Sequence, residues 1–309
     1  MWLRDSANQL QSYQSLLQAN SSVYSLASLF RGAINLQARY IIAAPHCNAF
    51  HAPPEANLTA SMSFGASSGS SDYVSPTPNH DVVFECKYEL DSLAAFLQLS
   101  HDYHQATGDS AFFGRHRWVE AMYTLINTTS DLLGGTYNRD GSVAYSPYIF
   151  QRNTPTAYET LPNSGIGAPV RGGTGMVRSA FRPSDDACTY QLFIPANMMF
   201  SQYLHRCAHI MEKLGRHVMA EQMRKLSTSI RFGIEKHGRV HHPLHGKIYA
   251  YEVDGYGSAN TMDDANIPSL LSAPLSGYVE RDDQIYQNTR RFVLSEDNPY
   301  FMFGPVLNG

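Results

Sequence analysis

The chain has 309 residues, of which 43% are hydrophobic and 16% charged, and a net charge of −4. These values describe a globular protein, and they exclude a disordered chain and a basic field for nucleic acid. No apolar run approaches the length of a membrane span.

The first residues read as a polar loop entering a helix, with Asp5, Asn8 and Gln9 on one face at i, i+3 and i+4. A second helix is predicted from about Ser25 to Ile42, where Leu26, Leu29, Phe30, Ala33, Gln37 and Ile41 keep helical period and Pro45 stops it. Residues 46–80 break the pattern with His51-Ala-Pro-Pro and a Ser/Gly-rich run from Ser61 to Ser71, and read as a surface insertion. Helical period returns from about Phe84 to Ala106. Gly108 then caps the end, and Asp109 or Ser110 starts a second helix running to about Asn127. Residues 131–180 are irregular, with a short hairpin expected near Tyr137–Tyr145, turning at Asp140-Gly141.

Next comes Phe181-Arg182-Pro183-Ser184-Asp185-Asp186-Ala187. Pro183 holds Arg182 extended, Ser184 suits an N-cap, and the two aspartates would sit in a first helical turn, about 100° apart around the axis. Two acids where one suffices for a cap point to a functional carboxylate. A further helical hairpin follows, Asn197 to Leu214 and Arg216 to about Lys236, and His237-Gly238 ends it. Acids and aromatics then interleave from Tyr249 to Gly257 and again from Met262 to Pro268, before a last helix at about Glu280–Leu294.

Residues 90–127 and 198–234 share one rhythm of helix, tight turn, helix. Repeated helical hairpins build either a solenoid or a closed α/α toroid, and long excursions on alternate connections favour a toroid with its functional loops at one end. The fold class is therefore all-α. Carboxylates beside aromatics suit carbohydrate, and paired carboxyls suit glycoside hydrolysis. No G-x-S-x-G elbow and no P-loop occur. His237, His241, His242 and His245 cluster, but Pro243 disfavours the helix that would put His241 and His245 on one face, so no metal site is expected. Cys47, Cys86, Cys188 and Cys207 form no C-x-x-C pair; a disulfide and buried free thiols both remain open. Sequons at Asn20, Asn57 and Asn127 lean slightly toward a secretory route.

Five segments together resemble glycoside hydrolase family 125, the exo-acting α-1,6-mannosidases: Met1-Trp-Leu-Arg-Asp-Ser-Ala-Asn-Gln9, Lys87-Tyr-Glu-Leu-Asp-Ser92, Phe181 to Ala187, Tyr249 to Gly255 and Met262 to Ser269. The resemblance implies a single (α/α)6 barrel over residues 1–309, an inverting mechanism, no metal or other cofactor, and a mannose-containing oligosaccharide as partner. It implies a general acid in the Arg182–Asp186 motif: Asp186, with Asp185 in reserve. Arg4, Asp5, Asn8, Gln9, Glu89, Asp91, Arg182, Glu252, Asp254, Asp263 and Asp264 are the candidates for holding sugar hydroxyls. The family's general base is a glutamate beyond Gly309, and the family carries a segment before the Trp-Leu-Arg-Asp motif, so the chain reads as incomplete at both ends. The competing expectation is a sugar-binding remnant that lacks the base.

Overall fold

The computed structural model describes residues 1–58 and 72–304. The Ser61–Ser71 run, and with it the middle of the expected insertion, lies outside the described residues. Among the described residues eight α-helices carry the fold: α1 (Leu3–Gln11), α2 (Leu26–Ala43), α3 (Leu90–Thr107), α4 (Ser110–Arg115), α5 (Trp118–Asp131), α6 (Ile194–Lys213), α7 (His217–His237) and α8 (Gln284–Val293). Their starts follow local chemistry. The Ser25 side chain accepts the Ser28 N–H at the head of α2, Asp109 accepts the Phe112 N–H at the head of α4, and Asp283 accepts the Tyr286 N–H at the head of α8. Gly108 ends α3 at φ +67, a conformation open to glycine at little cost.

The helices pack in two layers. α1, α3 and α6 lie side by side, α2 covers α3 and meets α5, and α7 lies along α6. α3 is buried on every side over its first three turns, as a helix with neighbours all round must be. One core cluster joins these helices through Phe30, Ile34, Leu93, Phe96, Leu97, Trp118, Met122, Phe200, Leu204, Met223 and Ile230.

The connections hold nine short strands in four small sheets: β1 (Ala49–Phe50) with β3 (Val83–Glu85); β2 (Tyr73–Ser75) with β4 (Ile149–Gln151); β5 (Leu192–Phe193) with β8 (Glu252–Val253) and β9 (Ala259–Asn260); and β6 (Arg239–His242) with β7 (Gly246–Tyr249). The all-α expectation is corrected to this extent: the fold is helix-rich, and the long loops are tied together by short antiparallel ladders. The hairpin expected at Tyr137–Tyr145 is one bridge, Tyr137 to Val143. Cys47 and Cys86 form a disulfide that closes the 46–80 excursion at its base, while Cys188 and Cys207 are buried and free.

Three local expectations fail. The helix expected from about Phe84 starts at Leu90, because Val83–Glu85 pairs with β1 as β3. The second helix of the first hairpin is broken at His116, whose extended backbone turns Trp118 inward. There the indole N–H donates to Ser100 Oγ at 2.9 Å, a buried tertiary bond with no local signature. The Phe181–Ala187 segment is not a helix start. It is a tight turn closed by a bridge between Phe181 and Ala187, with Arg182 N–H donating to the Asp186 carbonyl at 3.0 Å. Asp185 takes φ +66, which a continuing helix does not allow.

Candidate active site

The turn is held from the α3 side. Lys87, buried in the approach to α3, donates from Nζ to the Asp185 carbonyl at 2.9 Å and lies over the Phe181 ring at 5.4 Å. Two residues on, Glu89 and Asp91 flank the start of α3, and both receive Arg4 from α1 at 3.3 and 3.2 Å. All three side chains are almost fully buried. One guanidinium faces two buried carboxyls, so burial and mutual repulsion push the Glu89 carboxyl well up, against the pull of Arg4. Burial likewise raises Asp91. The Asp185 carboxylate is close enough to add to the repulsion on both. The Trp-Leu-Arg-Asp segment and the Arg182–Asp186 turn therefore share one acidic centre.

The second half of that centre is built on Arg182. Its Nη2 donates to Asp186 Oδ2 at 3.0 Å, its Nε to Ser184 Oγ at 3.2 Å, and Ser184 Oγ in turn donates to the same Asp186 oxygen at 2.9 Å. The guanidinium stands 4.0 Å from Glu252 Oε1 and 5.9 Å from the Tyr251 ring centre. Glu252 on β8 is anchored through its other oxygen, which accepts the N–H groups of Thr189 and Tyr190. Burial raises its carboxyl, opposed by those N–H donors and by Arg182. Tyr251 Oη donates to Asp264 Oδ2 at 3.4 Å, which ties the Met262–Pro268 loop to the same place.

Three carboxylate oxygens here are buried without a donor among the described residues: Asp91 Oδ1, Asp185 Oδ1 and Glu252 Oε1. Buried acceptors left unmade are costly, so this arrangement suits a ligand that brings several hydroxyl donors.

The predicted residues divide accordingly. Arg4, Glu89, Asp91, Arg182, Asp185, Asp186, Glu252 and Asp264 converge; Asp5 stays half exposed beside Arg4. Two of the predicted acids are also bonded to the backbone. Asp254 Oδ1 accepts three N–H groups, from Tyr256, Gly257 and Ser258, and so shapes its own turn. Both Asp263 oxygens cap the N–H groups of Leu270 and Leu271. Gln9 is exposed, and Asn8 lines a cavity of about 330 Å³ with Gln11, Gln98, Met198 and residues 265–269 of the loop that carries Asp264. The residues missed were Lys87 and Asn48. Asn48 donates to Glu89 at 3.4 Å and accepts the Lys87 N–H at 3.1 Å. Lys87 stood inside a quoted motif, whereas Asn48 carried no signal. Of the histidine cluster, His237 ends α7 while His241, His242 and His245 lie on the β6–β7 hairpin, with His245 paired to Asp297 at 2.7 Å. Among the described residues no three His, Cys, Asp or Glu side chains are grouped to hold a metal ion.

A family model described as metal-independent alpha-mannosidase (GH125) matches residues 1–309. The chain belongs to glycoside hydrolase family 125. Two similar proteins accompany that match. The meiotically up-regulated gene 157 protein of Schizosaccharomyces pombe is 45% identical over 310 residues, which is 100% of this chain and 59% of that protein. The chain thus spans about three fifths of the curated relative it matches. A Streptococcus pneumoniae structure from a family of metal-independent alpha mannosidases, described as a non-productive complex with alpha-1,6-mannobiose, superposes with a TM-score of 0.83 at 34% identity. That match covers 100% of this chain and 67% of the other.

Proposed function

We propose that the protein of which these residues form part releases terminal α-1,6-linked mannose with inversion and without a metal, and that its paired helices belong to an (α/α)6 ring. The observation that carries this reading is the set of three buried carboxylate oxygens lacking donors, on Asp91, Asp185 and Glu252, around the turn that carries Asp185 and Asp186. Vicinal hydroxyls of one mannosyl unit supply those donors. The mannobiose complex of the solved relative supports the linkage.

The general acid is assigned to the Asp185–Asp186 pair, with Asp186 first. Asp186 is partly open to solvent, and one of its oxygens is fixed by Arg182 and Ser184, which leaves the other to face a leaving group. Asp185 instead turns a buried oxygen toward the Glu89–Asp91 side and suits substrate holding. In the reaction the acid gives its proton to the glycosidic oxygen as the C1–O bond breaks. A second carboxylate, about 6.5–9.5 Å away, takes a proton from the water that attacks the opposite face. The resemblance puts that base on a glutamate beyond residue 309.

The test uses full-length protein and α-1,6-mannobiose, with the first-formed anomer read by NMR. β-Mannose is expected at first, with the rate unchanged by a chelator. Asp186→Asn is expected to lower kcat by about 10²–10⁴-fold. Normal turnover in Asp186→Asn with a collapse in Asp185→Asn moves the acid to Asp185. No mannose release by the wild type refutes the reading and favours a sugar-binding protein.

A further inference from the structure

The three N-x-S/T sequons have no part in the acidic centre, and the structure sorts them. The Asn127 sequon is folded into α5: Thr128 and Thr129 are buried, and Thr129 Oγ1 is engaged with the Leu125 and Ile126 carbonyls at 2.9 and 3.2 Å. The Asn57 sequon runs into Thr59, which lies outside the described residues. Asn20-Ser21-Ser22 differs from both. It lies in the irregular connection between α1 and α2, and all three residues are exposed, which is where a bulky, water-loving sugar chain can be carried.

Its reactive groups are free while its backbone is fixed. Asn20 Oδ1 accepts the Ser22 N–H at 2.8 Å, and Ser22 Oγ accepts the Tyr24 N–H at 3.3 Å. Both bonds use the oxygens as acceptors, so the Asn20 Nδ2 and the Ser22 hydroxyl hydrogen stay available. Arg31 Nη1 donates to the Asn20 carbonyl at 3.0 Å and to Tyr103 Oη at 3.1 Å, and Tyr103 Oη donates to Asp109 Oδ2 at 2.9 Å. A cavity of about 500 Å³ opens beside Asn20, lined in part by Ser21, Arg31, Tyr103 and His116. That volume has room for a sugar unit, with polar groups to meet its hydroxyls.

We propose that Asn20 is a site of N-linked glycosylation. The Cys47–Cys86 bridge supports the compartment this needs, because disulfides persist in the oxidising spaces of the secretory route and are rare in the cytosol. The sugar donor is a lipid-linked oligosaccharyl diphosphate. In the transfer, Asn20 Nδ2 bonds to C1 of the first sugar and the C1–O bond to the diphosphate breaks. The lipid diphosphate leaves with the electron pair, and the amide proton passes to a base of the transferring enzyme. The glycan stands away from the acidic centre. Asp91 opens α3 beside that centre, whereas Tyr103, which holds the Asn20 loop through Arg31, lies about 18 Å further along the axis. The assignment does not depend on the mannosidase reading.

Full-length protein isolated from its source cells gives the test. After treatment with a peptide N-glycosidase in heavy-oxygen water, the peptide holding position 20 is expected to carry aspartate labelled with one heavy oxygen, read by mass spectrometry. Asn20→Gln and Ser22→Ala, produced in the same cells, are each expected to lose the modification, whereas Ser22→Thr keeps the sequon and is expected to retain it. These side chains are exposed, so the variants are expected to fold as the wild type does. An unmodified Asn20 in the wild-type protein overturns the proposal. So does a label at position 20 that survives Ser22→Ala, which marks deamidation of the asparagine and not release of a glycan.

Discussion

Lys87 shows how one side chain can set the geometry of an acid it never touches. Asp185 is a non-glycine residue at φ +66, a conformation that costs about 1–3 kcal/mol and persists only where its surroundings impose it. Lys87 imposes it by binding the Asp185 carbonyl, with Glu85 at 3.7 Å behind the ammonium. Lys87→Met keeps the stem over Phe181 and removes the clamp. In the full-length protein, kcat/KM for mannose release is expected to fall about 10- to 100-fold, as a misplaced group of the site causes, with far-UV circular dichroism little changed. An unchanged kcat/KM assigns Lys87 to packing alone. Asp102 supplies a second test at this scale. Burial raises its carboxyl to about 6, against a hydrogen bond from Gln11 at 2.7 Å and the charge of Arg206. A carboxyl raised on folding takes up a proton in the native state. Its contribution is therefore complete below about pH 4 and is lost as pH rises through about 6. Relative to Asp102→Asn, the wild type is expected to lose up to about 3 kcal/mol across that window, read from urea unfolding at successive pH values. A constant difference between the two proteins refutes the shift. The blocks of charge were readable from the sequence, but their partners were not: Arg4 meets Glu89 and Asp91 across 85 and 87 residues, which no local spacing announces. Nor were the backbone bonds of Asp254 and Asp263 foreseen. The Gly-Tyr-Gly-Ser that follows Asp254 was the overlooked sign that its carboxylate would serve its own turn.

At the scale of elements, local rules held where local chemistry decides. The cap at Asp109 and the glycine after α3 were both visible in the sequence and are both present, and α2 starts at Leu26, close to the expected Ser25. They failed at the Phe181–Ala187 turn, where Pro-Ser-Asp-Asp imitates a helix start but a bridge across the turn and Lys87, 98 residues away, choose another conformation. Close element packing makes its own prediction. Gly233 on α7 lets the Thr174–Met176 segment lie directly on the helix: a Cβ there would stand 2.4 Å from the Thr174 carbonyl oxygen and 2.9 Å from Met176 Cγ. The first contact is backbone and cannot swing aside. Helix propensity alone favours Gly233→Ala by about 1 kcal/mol, yet the overpacking term of about 1–3 kcal/mol or more opposes it. Gly233→Ala is expected to lower the denaturant midpoint, whereas Gly32→Ala on α2, where nothing lies within 4 Å of the added Cβ, is expected to raise it slightly. Stabilisation by both substitutions would show that the segment is free to move off α7.

Across the whole molecule, the disulfide is the one covalent link between the region around α2 and the entrance to α3. Cys47 follows α2 and is two residues from β1; Cys86 precedes Lys87, Glu89 and Asp91. The sequence left this pair unsettled because four cysteines admit several pairings and none has a diagnostic spacing. The structure shows the reason for this one: the antiparallel pairing of β1 with β3 brings Ala49 opposite Glu85, and so brings the flanking cysteines together. The bridge spans a sequence separation of 39 residues. In the chain-entropy account, a loop of that length stabilises the folded state by about 4 kcal/mol through the unfolded ensemble. Reduction by dithiothreitol is therefore expected to lower the unfolding free energy by about 2–4 kcal/mol. Cys47→Ser with Cys86→Ser should match the reduced wild type and no longer respond to reductant. Cys188 and Cys207 are buried and should react with a thiol reagent only after global unfolding. Loss of sugar affinity together with stability would show that the bridge also holds Lys87 and Glu89 in register with Asp185. Loss of stability alone would confine it to the excursion.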